Sequence, residues 1–561
     1  MIEMTRVENA ASVGIGRSHG RETLSRARDC EADTAQRSRL KDTLNQHRVL
    51  ITTFAGLVLA AVAQCIYVVA DLMPTWPLMS NNSDVLFVED IARDLNGGGR
   101  LFDWRLSQVT YIFPDILIAR LLAYLGAGAT KISVLFQALF PVVLLPLVFA
   151  LAKGCRADAR AATIFAGFIY LLTYTGELDR DFIAVHFGLI GFHTGALIPA
   201  IAAICFAGLL VRVDGPSSVG IAGVFVSLFL GLISDSLVGA ITLPPLAIWL
   251  LLLWRRRPEK RRHVLAAATA ILLAVIFGRI FSILNPFPQD REYLAAAFAA
   301  MPHSSFQSIR VFVTDLATYT ATSKVSAALL LLTLASFGLS LRHLLFSRGI
   351  NMSTLLALTV VISTPAVIAL DLILGIYVSI ASSRHWAPAV YLAIVSGPII
   401  LSIDRRSALV PAVVLASGLL LSGQFVVGMA GSRGKLPAEN VFAGFAACME
   451  QQRLPQGWLY ISDYWMARPV RMLSHGRFGL VPYLDGVFSN QSNLRWIRSA
   501  TPRYAIAGFG LAESNLVHRY GPPRATFCDM QLGNGATVKV LDYSDNEDFK
   551  TSIRREVVAA Y

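Results

Sequence analysis

Repeated apolar segments of 15 to 25 residues run through most of this chain, and they constrain its fold more than any other feature. A helix needs about 20 mostly apolar residues to cross a lipid bilayer. Hydrophobic residues make up 55% of the 561-residue chain and charged residues 15%, against about 25% in soluble domains. The sequence therefore predicts an α-helical polytopic membrane protein.

Eleven of these segments are predicted to be membrane spans, within one membrane domain over residues 49–430. They cover about residues 49–70, 132–152, 158–175, 187–211, 218–233, 237–254, 264–284, 325–341, 354–378, 387–403 and 407–430. The preceding 48 residues carry nine Lys or Arg and seven Asp or Glu, with hardly any apolar periodicity. Such a composition predicts a disordered tail.

The distribution of positive charge predicts how the spans are oriented. With the N-terminus inside, the five cytoplasmic loops contain thirteen Lys or Arg, and the four short outside loops contain five. Basic residues collect in cytoplasmic loops, so the bias supports a cytoplasmic tail over residues 1–48. An odd number of spans then places the C-terminus outside. The net charge of +12 reflects the same bias, since the densest basic run, 255–262, lies between two spans. This net charge therefore does not indicate a nucleic-acid partner.

Residues 431–561 form a separate polar region that contains no span. Short apolar strands alternate with helical patterns there, and Gly533-Asn534-Gly535 is typical of a hairpin turn. We expect a small extracytoplasmic α/β domain. Cys448 and Cys528 are the only cysteines of this region, and we predict a disulfide between them, with two buried thiols as the alternative.

The first outside loop, residues 71–131, is the longest polar interruption of the membrane domain. Six carboxylates lie between residues 83 and 120, at Asp84, Glu89, Asp90, Asp94, Asp103 and Asp115. Aromatic residues lie among them, and this mixture at the mouth of a membrane domain suits a polar ligand carried on a lipid. The alternative is a solvated loop whose acids cap juxtamembrane helices.

Further polar residues lie towards the outer ends of later membrane segments. They are Arg279, Asp371, His186, His193 and Asp235. A charge inside a bilayer costs at least about 2.5 kcal/mol, so such residues usually face a cavity or a partner. Each of them alone is more simply a satisfied structural group. Together they predict a cavity that opens outward, on the side of the first loop.

With this layout the chain resembles the GT-C superfamily of membrane glycosyltransferases, which use polyprenyl-phosphate-linked sugars on the outer side of the membrane. Asp84 occupies the position of the family's catalytic acid, shortly after span one. VLFVEDIARDLNGGG at 85–99 resembles the helix that follows this acid, and Asp103-Trp104 resembles the tryptophan segment. FPDILIARLLAYLG at 113–126 resembles the re-entry into span two.

Two later segments extend the resemblance, and two departures stand against it. Asp179 and Asp181 lie in a second acidic loop like that of the family. Arg384-His385-Trp386-Ala387-Pro388 looks like the family's Arg-Tyr-x-x-Pro stretch. However, Val85 replaces the Glu of the family's Asp-Glu pair, and His385 replaces the Tyr.

The resemblance implies the parts of a glycosyl transfer. A carboxylate would act as general base on the acceptor hydroxyl, either Asp84 together with Asp179 and Asp181, or the competing pair Glu89-Asp90. The candidates for binding the lipid phosphate or the sugar are Arg384, His385, Arg279, Arg105 and Trp104. The implied partners are a polyprenyl-phosphate-linked sugar donor and membrane lipid. The expected location is a bacterial inner membrane with the C-terminal domain in the periplasm. No metal ligands are identified, and a divalent metal cofactor stays open.

Two other functions fit the same sequence. A transporter or flippase of a lipid-linked or polar substrate would explain the membrane-embedded Asp371 and Arg279, although no repeated halves are visible. A non-catalytic membrane assembly protein would explain the missing Asp-Glu pair. Loss of activity on substituting Asp84 in a folded protein would separate the glycosyltransferase from the assembly protein.

Overall fold

A computed structural model describes the chain over residues 83–106, 109–127, 131–176, 186–187, 190–212, 218–284, 292–347, 349–403, 441–484, 487–488, 492–508, 510–531 and 537–559. The predicted tail, the predicted spans 49–70 and 407–430, and Asp179 and Asp181 lie outside these residues. Helices dominate up to residue 403, and helices alternate with strands from residue 441 onward.

The first outside loop begins with helix α1, Ser83–Asn96, and ends with helix α2, Leu117–Tyr124. A 3₁₀ turn at Leu101–Asp103 and a π-helical turn at Ile112–Ile116 lie between them. Helix α1 is packed along most of its length, and its fully buried residues include Val85, Leu86, Phe87, Val88 and Ile91. The alternative of a solvated loop is therefore wrong for this helix.

The helices of the membrane domain follow, and they overlap nine of the eleven predicted spans. The predicted span 187–211 begins too early, because its helix, Leu197–Arg212, starts ten residues later and turns precede it. They are α3 Lys131–Gly154, α4 Ala159–Gly176, α5 Leu197–Arg212, α6 Ser218–Ser234, α7 Leu237–Arg256, α8 Arg261–Leu284, α9 Glu292–Thr322, α10 Lys324–Phe346, α11 Met352–Leu358, α12 Thr364–Ile373 and α13 Ala387–Ile403. A π-helical turn, Thr359–Ser363, joins α11 to α12 into one span. Helix α9 is the exception, because this single 31-residue helix lies between the predicted spans 264–284 and 325–341, where no span was predicted.

Six of these helical segments are long and apolar enough to cross a membrane, and three further apolar helices, 159–170, 218–234 and 387–403, are shorter. The chain is thus an α-helical polytopic membrane protein. The total of eleven spans and their orientation stay predictions, because two of the spans lie outside the described residues.

Packing within the membrane domain separates central from peripheral helices. Helix α13 is buried from Ala387 to Ile400, as expected of a helix surrounded by others. Helix α8 instead leaves Leu272, Ile276 and Ile283 exposed, which suits contact with lipid. Small residues permit close approach: a Cβ at Gly223 would lie 2.2 Å from the Phe206 ring, and membrane helices commonly use glycine at such contacts.

The C-terminal domain is a six-stranded sheet with helices on it. Its elements are α14 Val441–Gln451, β1 Gly457–Ser462, α15 Tyr464–Leu473, β2 Phe478–Leu484, β3 Val487–Phe488, α16 Leu494–Ser499, β4 Tyr504–Ala507, α17 Glu513–Tyr520, β5 Ala525–Gln531, β6 Thr537–Asp542 and α18 Glu547–Ala559. The strand order is β3-β2-β1-β4-β6-β5, with β1 parallel to both β2 and β4. The α/β class and the β5–β6 pairing were expected, whereas α16, α17 and α18 were not.

Two apolar clusters, one on each side of the sheet, hold this domain together. Tyr460, Val470 and Val540 belong to the first cluster, and Ile461, Leu541 and Phe549 to the second. Neighbouring strand residues fall in different clusters because side chains alternate across a strand. The predicted disulfide between Cys448 and Cys528 is confirmed, and it joins α14 to β5.

Candidate active site

One face of helix α1 carries a row of acids that meets the C-terminal domain. Asp84, Phe87, Asp90 and Asp94 are spaced by three, three and four residues, which places them on the same side of a helix. The partners of the three acids include Tyr464, Arg471 and Arg495, all from the C-terminal domain. Each of the three acids therefore binds a different residue of the C-terminal domain, and the row does not form a single site.

Asp84, at the start of α1, joins two segments that are remote in sequence. Its Oδ2 accepts a hydrogen bond from Arg384 Nη1 at 2.8 Å, and its Oδ1 accepts one from the Tyr464 hydroxyl at 2.5 Å. Arg384 lies on a 3₁₀ turn, Ile380–His385, directly before α13. Tyr464 is the first residue of α15. Asp84 and Arg384, both candidates from the family resemblance, thus form a direct ion pair in the structure.

Helix α15 presents Tyr464 to Asp84 because a cap residue fixes where the helix begins. The carboxylate of Asp463 accepts hydrogen bonds from the backbone N–H groups of Trp465 and Met466, at 2.7 and 3.2 Å. Aspartate at this position satisfies donors that a helix leaves unpaired at its N-terminus. The first turn of α15 is therefore fixed, and so is the direction of its first side chain.

A second pair of residues, His385 and Asp371, fixes the position of Arg384. Its Nε donates to His385 Nε2 at 3.4 Å, and His385 Nδ1 lies 3.1 Å from Asp371 Oδ2. Burial lowers the pKa of His385, which favours a neutral ring that donates at Nδ1 and accepts at Nε2. Hydrogen bonds therefore run without interruption from Asp371 through His385, Arg384 and Asp84 to Tyr464. We call these five residues the Asp371–Tyr464 chain.

A second histidine–carboxylate pair lies beside this chain. His193 Nδ1 is 2.7 Å from Asp235 Oδ2, and the His193 ring stands perpendicular to the His385 ring, with centroids 5.3 Å apart. His193 and Tyr111, whose rings are 6.0 Å apart, both have a left-handed backbone, with φ of 64° and 54°. Such a backbone is uncommon outside glycine and tends to occur at functional sites.

Asp115 extends the polar cluster towards helix α5. Its Oδ1 accepts a hydrogen bond from the backbone N–H of Gly191 at 3.0 Å, and burial raises the pKa of Asp115 to about 7. A Cβ on Gly195 would lie 2.0 Å from Asp115 Oδ2, so only glycine fits there. His186, also predicted to lie near the cavity, bonds Ser383 at 3.1 Å, next to the turn that carries Arg384.

The competing acidic pair of the first loop has other partners. Glu89 accepts hydrogen bonds from Arg93, one turn further along α1, at 3.0 and 3.1 Å. Asp90 is almost fully buried and binds Arg471 of α15, with Arg468 at 3.9 Å. These bonds give Asp90 a role in holding the two domains together.

The remaining predicted binding residues do not join the cluster around Asp84. Trp104 is fully buried, its Nε1 donates to Asp94, and its ring packs against Trp496, so it cannot stack on a sugar as we expected. The backbone of Arg105 donates to Ser492 of the C-terminal domain. Arg279 lies on an exposed face of α8. The placement of these three residues therefore gives no support to a role in binding the donor.

Sequence reasoning missed Tyr464 and did not pair the buried histidines. His193, Asp235 and Asp371 were expected near the cavity, but their histidine–aspartate pairing was not visible. For Tyr464 the available signal was Asp463, a typical N-cap residue before a helical pattern. That signal locates the start of a helix, and it does not show that the helix docks on α1. Among the described residues, no group of three or more His, Cys, Asp and Glu is arranged to hold a metal ion.

The cluster has the chemical parts of a site for a phosphate-bearing ligand. Arg384 is about one-third exposed, and a guanidinium binds phosphate oxygens with two parallel donors. Asp84 lies on one side of the guanidinium and the His385 ring on another. In such a pair the partly exposed guanidinium can bind an anion, and the neighbouring carboxyl group can accept a proton.

The chain is similar to the crystal structure of ArnT from Cupriavidus metallidurans in the apo state. The sequence identity is 13%, the TM-score is 0.36, and the match covers 88% of this chain and 99% of that one. A TM-score this low carries no argument, so we base the proposals below on the residues and contacts described above. No family model matches the chain, and no curated protein matches it.

Proposed function

We propose that this protein is a membrane glycosyltransferase that moves a sugar from a polyprenyl-phosphate carrier to an acceptor on the outer side of the membrane. The observation that carries the proposal is the 2.8 Å contact between Asp84 and Arg384. These residues are 300 positions apart, and they are the two that the family resemblance assigns to the catalytic acid and the phosphate. Under this proposal the membrane is a bacterial inner membrane, and the C-terminal domain lies in the periplasm.

The transfer needs one base and one anion-binding cation. The acceptor oxygen forms a bond to the anomeric carbon while the bond from that carbon to the phosphate oxygen breaks. Asp84 takes the proton of the acceptor hydroxyl, and Arg384 stabilises the charge that develops on the leaving lipid phosphate. A single displacement of this kind inverts the configuration at the anomeric carbon.

Donor binding and activation of the base are coupled in this arrangement. Arg384 Nη1 bonds to Asp84 Oδ2, so a donor phosphate would compete with Asp84 for the guanidinium. When Arg384 turns to the phosphate, Oδ2 becomes available to accept the acceptor's proton. The His385–Asp371 pair holds Arg384 from the other side and keeps it near the site during this exchange.

The test measures transfer of labelled sugar from defined polyprenyl-phosphate sugars in reconstituted membranes. We expect Asp84→Asn and Asp84→Ala to abolish transfer with little change in melting temperature, and Arg384→Ala to raise KM for the donor. Arg477→Ala is the matched control, because Arg477 forms a comparable but exposed ion pair with Glu450 at 2.9 Å. An Asp84→Asn variant with normal transfer would contradict the proposal.

The two alternative functions predict different results. A transporter was favoured by Asp371 and Arg279, but Asp371 belongs to the Asp371–Tyr464 chain, and Arg279 is exposed on helix α8. The two residues therefore do not lie together along one path that a transported substrate could follow. A non-catalytic assembly protein would show no transfer in the wild type, and its Asp84 variants would change only complex formation or stability.

A further inference from the structure

The contact between α15 and α1 is a row of three matched residue pairs. Tyr464, Arg468 and Arg471 lie on one face of α15, at spacings of four and three. Tyr464 bonds Asp84, Arg468 lies over the Phe87 ring at 5.0 Å, and Arg471 pairs with Asp90. The last two contacts fix the position of α15 along α1, so the position of Tyr464 relative to Asp84 is determined by more than its own hydrogen bond.

The surroundings of Tyr464 keep its hydroxyl a hydrogen-bond donor to Asp84. Burial and the neighbouring Asp84 raise the pKa of Tyr464, so the phenol stays protonated over the physiological range. Arg468 lies over the Tyr464 ring at 5.0 Å and holds the ring in place.

We propose, on the basis of the function proposed above, that Tyr464 is a positioning residue for the catalytic carboxylate, and that the C-terminal domain is therefore part of the active site. Arg384 and Tyr464 bind different oxygens of Asp84. When the donor phosphate takes Arg384, the Tyr464 hydroxyl remains on Oδ1 and keeps Oδ2 directed at the acceptor. Without this bond the carboxylate would rotate, and its ionised form would lose a donor.

The test compares Tyr464→Phe with Tyr460→Phe. The first substitution removes the hydroxyl, with its hydrogen bonds to Asp84 and Arg468, and keeps the ring under Arg468. The second removes a hydroxyl of the same domain that donates to the backbone carbonyl of Pro455. We expect Tyr464→Phe to lower kcat roughly tenfold to hundredfold, the usual range for a hydrogen bond to a charged group, with KM for the donor unchanged. The acid limb of its pH–rate profile should move to higher pH, and Tyr460→Phe should change neither quantity.

Three outcomes separate this inference from the proposed function. If Tyr464→Phe keeps the wild-type kcat and pH profile while Asp84→Asn is inactive, the inference is overturned and the proposed function stands. Full activity in Asp84→Asn would overturn both. An equal loss of kcat in Tyr460→Phe would show a general fault in the domain and also overturn the inference.

Infrared difference spectra give a readout that needs no sugar transfer. The carboxylate band assigned through Asp84→Asn should shift in Tyr464→Phe and stay in place in Tyr460→Phe. An unshifted band would remove the contact on which the positioning role depends.

Discussion

Asp90 and Arg471 form a buried ion pair across the two domains, with Arg471 Nη1 2.5 Å from Asp90 Oδ2 and the Asp90 side chain 2% exposed. Arg471 also lies over the Trp496 ring, 3.7 Å from its centroid. The pair therefore connects α1, the start of the site, to both α15 and α16.

Substituting Arg471→Met should destabilise the protein, because it leaves Asp90 buried without its main cation. The expected loss in the free energy of unfolding is about 3–5 kcal/mol, the usual effect of breaking a buried pair on one side. The double variant Asp90→Asn/Arg471→Met should lose clearly less. Thermal unfolding in detergent measures these losses for Arg471→Met, for Asp90→Asn and for the double variant. A loss in the double variant equal to the sum of the two single losses would contradict a coupled pair.

Gly195→Ala should disrupt the site, because the new Cβ would lie 2.0 Å from Asp115 Oδ2. Overpacking of this kind costs about 1–3 kcal/mol, and here it would displace Asp115 and the start of α5. Gly338→Ala in α10 is the control, since a Cβ there meets no atom within 4 Å. Melting temperature and transfer rate should fall in the first variant only. If Gly195→Ala and Gly338→Ala have the same melting temperature and transfer rate, the atoms around Gly195 accommodate a methyl group without loss of stability.

The stability of the protein should depend on pH through Asp463. Burial raises the pKa of Asp463 from 3.8 to about 6, so the folded protein holds this proton more tightly than the unfolded chain does. The resulting stabilisation is complete below pH 4 and is lost as the pH rises through about 6, a change of about 3 kcal/mol. Asp463→Asn keeps the helix cap and should remove this component. Melting temperatures from pH 4 to 7 should fall more steeply in the wild type than in the variant, which keeps the decline caused by the raised pKa of Asp115. Parallel curves would refute the role of Asp463.

The predicted orientation of the membrane domain can be tested with reporter fusions. A fusion at Arg257, within the basic run, should report cytoplasm, and a fusion at Gly535, in the C-terminal domain, should report the exterior. A cytoplasmic signal at Gly535 would mean that the number of spans is even. It would also place Tyr464 and Asp84 on the side opposite to the one proposed.

The helices and strands were largely predictable because each depends on local pattern. The long apolar run of α13 and the short apolar run of strand β1 were predicted correctly from composition and length alone. Helix α9 was missed because its sequence mixes apolar and polar residues, with no clear boundary between surface and span. Its extent depends on packing that a local pattern does not contain.

The site was only partly predictable, for a different reason. Asp84 and Arg384 could be placed on the same side of the membrane by charge bias, and a family resemblance linked them. Asp90 could not be told apart from Asp84, because both are acids of one helix, and only the partner, Arg471 or Arg384, separates their roles. Tyr464 was out of reach, since its relation to Asp84 exists only after two domains have docked.

The Asp371–Tyr464 chain has a consequence for how this protein can evolve. Its two ends lie in helix α12 and in helix α15 of the C-terminal domain, so neither region can change its contribution independently of the other. A relative that lost the C-terminal domain would need another hydroxyl or amide donor for the acid at position 84. Among relatives that keep the domain, the residues at 371, 385 and 464 should change together across lineages, more often than their distance along the gene would suggest.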